Sequence, residues 1–389
     1  MLTILLLIII YLSFISLGLP DSLLGSAWPS MYNALSVPLH YAGFISMIVA
    51  GGSGISSIFS ERIIRRFGTG IVTAASVIMT AAALIGFSIS QSFFYLCLFA
   101  VPLGLGAGSV DAALNNYVAL HYKARHMSWL HCFWGIGASA GPIIMSSFLI
   151  HKNSWSLGYR TIGIIQFCLA LLLFLSLPLW KKNKSTENIT QHDAIKFTKL
   201  FSIAGVKEVI ITFFCYCTIE MVTGLWGASF LVMEKEIPPE IAAQWISLYY
   251  IGITAGRFIS GFVTMKLNNR QMVRLGQMII GCGIVVLLLP LGNNTLLPGL
   301  FMIGLGCAPI YPSLLHETPK NFGEEYSQAM MGIQMGSAYV GTTIMPPIFG
   351  WFASYTSFSI FPIFIGVILV IKIIMVETLN RKIDKKRIA

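Results

Sequence analysis

The chain has 389 residues, of which 56% are hydrophobic and 10% charged, with a mean hydropathy of +0.78. A soluble domain carries roughly 25% charged residues, so composition excludes an ordinary water-soluble globule. The net charge of +10 would suit nucleic acid, but it is gathered into short segments between long apolar runs, a pattern of membrane topology rather than of phosphate binding.

A bilayer-spanning helix needs about 20 mostly apolar residues. Twelve runs meet this requirement, near 2–32, 41–59, 70–90, 93–119, 128–150, 158–180, 207–233, 241–264, 273–291, 296–316, 327–351 and 357–377. The reading is an all-α integral membrane protein with twelve transmembrane helices. The first and fourth runs exceed a minimal span, which predicts tilt or a broken helix. With the N-terminus inside, inner loops hold 20 of the 25 lysines and arginines, and outer loops hold only Lys152, Arg160 and Lys235. This bias predicts a multi-pass protein of the plasma membrane (a bacterial inner membrane) with both termini cytoplasmic. The positive charge then meets anionic lipid head groups, and no nucleic acid is expected as a partner. The start of the chain lacks the basic segment and the bounded apolar stretch of a cleaved signal. All seven cysteines lie in the runs and read as small apolar residues, without a disulfide frame or metal site.

In the first run Pro20-Asp21 falls near the middle, and Asp21, Gly25 and Trp28 share a helical face (i, i+4, i+7). An acid at that depth either serves a proton, ion or solute, or ties down backbone groups freed by a helix break. Between the second and third runs stands a tight charge cluster, Glu61, Arg62, Arg65 and Arg66. Its acid can pair with a basic group or a helix end and latch a gate on the inner side. The fourth run contains Gly104-Leu-Gly-Ala-Gly-Ser-Val-Asp111-Ala-Ala-Leu-Asn115-Asn116. Gly104, Gly108, Asp111 and Asn115 fall on one face, smooth at one end and polar at the other. The small residues suit close helix packing, and the acid predicts a water-accessible cavity. A carboxyl among apolar groups carries its charge at a cost, which suits a group that takes up and releases a proton. In the fifth run His131 and Trp134 share a face (i, i+3) ahead of Gly141-Pro142. The indole could stack on an apolar sugar face and the imidazole could bond hydroxyls, or the histidine could simply be bonded to backbone.

The polar stretch 181–206 separates six runs from six. The expected domains are a half at 1–180, a cytoplasmic linker at 181–206, a half at 207–377, and a basic tail at 378–389 that anchors to the surface and frays. A repeat at an offset of about 200 supports the division. Gly104-Leu105-Gly106 recurs as Gly304-Leu305-Gly306, Asp21 to Gly25 as Glu220 to Gly224, and the glycines and proline of run five as Gly336, Gly341 and Pro346-Pro347. Glu220 is thus a third membrane acid. Arg257 needs a partner at its depth, and Glu220 is the first candidate. Trp226, Tyr311 (beside Pro309 and Pro312 in a run predicted to break), Gln334 and Tyr339 complete the candidate solute contacts.

The stretch Ser57-Ile-Phe-Ser-Glu61-Arg62-Ile-Ile-Arg65-Arg66 resembles the loop signature of the major facilitator superfamily, with Ser57 and Ile64 departing from its glycines. Asp21, the Gly-rich Asp111/Asn115 stretch, Phe133 with Gly137-Ala138, and Gly256-Arg257 resemble the fucose–galactose–glucose:proton symporter branch. His131 and Trp134 stand where that branch has Gln and Asn. The resemblance implies two pseudo-symmetric six-helix halves and proton coupling through Asp21 and Asp111; beside it, the residues themselves offer Glu220 as a further proton candidate and Trp28, Asn115, Asn116, His131, Trp134, Trp226, Tyr311, Gln334 and Tyr339 as candidate solute contacts. The expected function is secondary transport of a small polar solute, a sugar first, by proton symport; the alternative is proton-coupled export of drugs or metabolites. No nucleotide motif, metal-binding H-E-x-x-H or nucleophile–base pair is present, so the expectation is no enzyme and no cofactor. A proton gradient (or a sodium gradient) supplies the energy to a monomer in lipid.

Overall fold

The computed structural model describes residues 2–122, 124–180, 201 and 203–388; within these, the side chains of 2–4, 61, 119, 120, 124, 125, 127, 128, 324, 325, 328 and 386–388 lie outside the description. So do most of the expected linker and the side chain of Glu61. Lipid offers backbone amides no partner, so each apolar run closes its hydrogen bonds within itself as a helix. In chain order these are α1 (Leu2–Asp21), α2 (Leu23–Ala34), α3 (Tyr41–Phe67), α4 (Thr69–Ile89), α5 (Phe93–His121), α6 (Ala124–Lys152), α7 (Trp155–Leu175), α8 (Val206–Lys235), α9 (Pro239–Val263), α10 (Asn269–Leu288), α11 (Leu296–Cys307), α12 (Ile310–His316), α13 (Thr318–Phe322), α14 (Glu324–Tyr355) and α15 (Ile360–Ile388). Among the described residues, eleven segments are long and apolar enough to cross a bilayer. The run expected at 327–351 is α14, whose 32 residues are ample in length. Its glycines, Gln334 and paired prolines make it less apolar than the others.

The first run is broken, as its length suggested. Pro20 has no N–H to give to the carbonyl of Ser16 one turn earlier. Gln166 of α7 supplies the missing donor, its Nε2 lying 2.8 Å from Ser16 O, while its Oε1 accepts from Thr80 at 2.6 Å. The chain turns at Ser22 and resumes as α2. The tenth run breaks likewise at Ala308-Pro309 between α11 and α12. The fourth run does not break: α5 is continuous over 29 residues.

The repeat is a repeat of packing as well as of sequence. A Cβ on Gly104 would lie 2.3 Å from Val49 O, and one on Gly304 1.9 Å from Tyr249 O, two hundred residues on at both partners. Gly106 meets Ser76 O and Thr80 as Gly306 meets Gly276 O and Ile280. Each half therefore seats its fourth helix on its second and third through the same glycines. Across the interface, α2 packs on α8, α3 on α14, and α6 on α9. The repeat carries α3 to α9 and α6 to α14, so the last two pairs exchange under a pseudo-two-fold axis. The halves meet tightly at the end away from the N-terminus. A Cβ on Gly25 would lie 2.2 Å from Gly224 O and one on Gly43 2.5 Å from the Pro347 Cα, and Ser146 Oγ donates to Glu240 O at 2.7 Å. Along the α3–α14 pair the contact then loosens, to 3.6 Å at Gly54 and Tyr339.

The last helix corrects one expectation. Residues 378–388 do not fray from the bundle: α15 runs on to Ile388. Arg270 forks onto Asp384 with both oxygens at 2.9 Å, Arg274 onto Glu377 at 2.7 Å, and Lys382 reaches Glu208 at 2.7 Å. These charges clip α15 to α10 and α8, where charge counting alone had assigned them to lipid.

Candidate functional site

Between the halves lies a cavity of about 320 Å³, the size class of small-molecule sites. The break in α1 turns Asp21 into it, flanked by Pro20 and Leu24. Asp21 is exposed to this space although it sits midway along the first run. Its Oδ2 accepts the indole N–H of Trp134 at 2.7 Å. The face of that indole lies under the guanidinium of Arg257, 4.7 Å from Cζ to the ring centroid. Arg257 also reaches the main-chain carbonyl of His131 at 3.3 Å, and its other nitrogen stands 3.9 Å from Glu220 Oε1. The last distance is that of an ion pair but too long for a hydrogen bond. Asp21, Trp134, Arg257 and Glu220 therefore form a chain of contacts from α1 through α6 and α9 to α8, crossing the interface between the halves.

Tyr249, Tyr250 and Ile253 of α9, Tyr159 of α7 and Tyr339 with Thr342 of α14 complete the wall, together with Ser46 and Ser53 of α3. The Tyr249 hydroxyl donates to the Glu220 carbonyl at 2.9 Å and fixes that turn of α8. Sequence reasoning missed the tyrosines of α9. Tyr249, Ile253 and Arg257 recur at i, i+4 and i+8, so the arginine's own face held the signal.

The glycine end of the α5 face packs closely, as its small residues suit, and it is the cavity expected along that face that lies elsewhere. Gly104 and Gly108 do not open onto the cavity; they let α3 approach, and a Cβ on Gly108 would lie 2.2 Å from Ser53 O. Ser53 donates to Gly104 O at 3.0 Å and Ser57 to Gly108 O at 3.2 Å. Leu103 and Ala107 of α5 line the cavity instead. Asp111 lies one turn beyond Ala107 toward the N-terminal end of the bundle, half-buried, with Oδ1 accepting from Asn115 at 2.9 Å.

Other candidates fall elsewhere. Trp28 is fully buried and donates to Leu39 O at 2.5 Å, and Trp226 is fully buried and donates to Pro346 O at 2.8 Å. Gln334 is fully buried, accepting from Thr318 at 3.0 Å. His131 packs its ring edge against Phe14, Tyr311 packs against Phe213 and Tyr216, and Asn116 is exposed on another face of α5 than Asn115. None of these lines the cavity. Arg62, Arg65 and Arg66 are exposed, with Arg66 over the Phe67 ring at 5.3 Å. Among the described residues no group of histidine, cysteine, aspartate or glutamate is placed to hold a metal, and the described cysteines are unbridged.

The family model of the Major Facilitator Superfamily matches residues 10–327 and 209–387. The glucose/mannose transporter GlcP of Bacillus subtilis (strain 168) is 27% identical over 293 residues, covering 72% of this chain and 71% of that protein. The cis,cis-muconate transport protein of Acinetobacter baylyi is 22% identical over 337 residues, covering 80% of this chain and 78% of that protein. Among solved structures, a bacterial homologue of the human lysosomal transporter Spinster, inward-facing and unoccupied, superposes with a TM-score of 0.73 at 12% identity, over 96% of this chain and 93% of that one. That likeness is one of fold. With its two pseudo-symmetric halves, its interfacial cavity and a family match across nearly its whole length, the chain belongs to the major facilitator superfamily: it is a multi-pass membrane transporter and not an enzyme.

Proposed function

We propose that the protein is a proton-coupled symporter of a small polar solute, a monosaccharide first among candidates, in a plasma membrane with both termini cytoplasmic. The observation that carries this reading is Asp21, an acid exposed to the cavity between the halves at a helix break, with Glu220 at the repeat-equivalent place in the other half. An intramembrane acid on a water-accessible cavity is suited to proton loading. Tyrosine hydroxyls and ring faces beside the serines of α3 suit a sugar, whose hydroxyls need bonds and whose ring has apolar faces. The relative named for glucose and mannose supports the same class. In this reading Asp21 takes a proton from outside, solute joins it, and loss of the charge lets the halves rock so that the cavity opens inward. Asp111, on the inner side of the site with Asn115, is the second proton group; Glu61 and the arginines beside it latch the inner gate.

Export by proton antiport is the competing reading of the same fold. Purified protein in liposomes loaded with one hexose is expected to exchange it for the same labelled hexose outside. Glucose and mannose should be the first positives of a panel. Exchange of no hexose, together with extrusion of cationic dyes, would discard the sugar reading in favour of export.

A further inference from the structure

The inference deepens the reading above and rests on it. We propose that Trp134 is a positioning residue that transmits the charge of Asp21 to Arg257, so that Arg257 leaves the N-terminal half for Glu220 when Asp21 takes a proton.

One indole holds an acid at its edge and a cation on its face. Its N–H lies in the ring plane and donates to the Asp21 carboxylate at 2.7 Å, and its face carries the Arg257 guanidinium at 4.7 Å. A bond to a charged acceptor is about twice as strong as one to a neutral acceptor. Drawing the N–H toward an anion makes the ring face more negative, which strengthens the hold on a cation above it. The indole thus passes the charge of Asp21 from α1 to a cation on α9, although the two groups share no direct contact among those described.

Arg257 is poised rather than locked. On the N-terminal half it has the Trp134 face and a long bond to His131 O at 3.3 Å; on its own half it has Glu220 at 3.9 Å, short of hydrogen-bond contact. Neither side is complete, so a modest change at the indole decides between them. A proton on Asp21 weakens the indole bond and the cation–π contact together. Arg257 then closes on Glu220, and one of the links that tie α6 to α9 is released. The other titratable groups facing Asp21 across the cavity are Glu220 of α8, Tyr249 and Tyr250 of α9, Tyr159 of α7 and Tyr339 of α14. Asp111 of α5 lies a turn beyond the lining. Of these, only Glu220 has Arg257 as an ion-pair partner among the described residues.

The test needs no solute. Nitroxide labels go on Ile58→Cys and Met265→Cys, exposed positions in opposite halves near the end that opens, with the exposed Cys168 and Cys282 changed to Ser. Pulsed electron–electron distances are read at about pH 5 and about pH 9, to compare the site at high and at low proton concentration. The wild-type residues at the site should give two distance populations whose ratio changes by about fivefold or more. Trp134→Phe keeps a ring under Arg257 but has no N–H, and should show both populations with a ratio independent of pH. Arg257→Gln keeps a hydrogen-bonding side chain without the cation that the indole face holds and should show the same loss, so the result does not hang on one variant folding. A full pH response in either variant overturns the inference and leaves the transport reading standing. No response with the wild-type residues in place also overturns the inference, while the transport reading is decided separately by solute exchange and solute-driven proton movement.

Discussion

Asp21→Asn is expected to abolish concentrative uptake while leaving solute exchange intact. Asparagine keeps the shape of the side chain and an oxygen to accept the Trp134 N–H, so the cavity walls stay where they are. What it loses is the proton. For one proton per solute, a difference of one pH unit can sustain about a tenfold solute gradient, since a pH unit is about 1.4 kcal/mol. The variant should instead settle near equal concentrations on both sides, while exchange, which needs no net proton movement, continues. Energised vesicles and labelled solute separate the two readouts. Glu220→Gln is the control for the other half. If it uncouples transport and Asp21→Asn still accumulates solute, the coupling acid is on α8, and the account has assigned the wrong half. The difference between the two sites makes the control informative: Glu220 has an arginine at 3.9 Å, whereas Asp21 is bonded to a neutral indole.

Gly25→Val is expected to favour opening at the end away from the termini. The Cβ would lie 2.2 Å from Gly224 O and 3.0 Å from the Leu225 Cα. Both obstacles are backbone, so no side chain can swing aside. The clash exists only while α2 touches α8, and separation of the halves there relieves it. Overpacking a tight contact costs about 1–3 kcal/mol, which as a difference between two states is about 5- to 150-fold in their ratio. A reporter thiol placed by Ser46→Cys, on the cavity wall, should react with an impermeant maleimide from outside faster by about that factor. Gly25→Ala should give a smaller change of the same sign. An unchanged rate in folded protein would mean that this contact is not part of the outer closure.

The twelve runs and the breaks at Pro20 and Pro309 were legible because each is local, and the two-hundred-residue repeat because its matching residues stand in the same order in both halves. A run of apolar residues has to satisfy its amides within itself, and a proline has to free a carbonyl. The repeat proved deeper than its residues suggested, since Val49 and Tyr249 share no chemistry yet receive Gly104 and Gly304 at the same place. The Glu220–Arg257 pairing was readable for a different reason: an intramembrane arginine leaves few choices of partner. Other parts of the site were not local. Trp134 looks like a sugar-stacking surface on its own helix, and only the position of the broken α1 turns its N–H into a ligand of Asp21. Trp28, Trp226 and Gln334 are the residue types of a solute site, but their partners, Leu39, Pro346 and Thr318, bury them in helix contacts. The close packing of the glycines beside Asp111 was legible, but the cavity was expected on the same face because helical spacing gives a face but not the identity of the neighbour. That neighbour is α3, fitted closely enough that its serines bond the carbonyls of α5.

The central claim is that one cavity carries solute and proton together, and proton movement on addition of solute tests it most directly. Vesicles holding the protein, in weak buffer with no imposed gradient, receive a pulse of the hexose that exchanges best. Transient alkalinisation of the outer medium is the result the account predicts, abolished in Asp21→Asn. Hexose entry with no proton movement, or acidification of the outer medium as hexose enters, would contradict it.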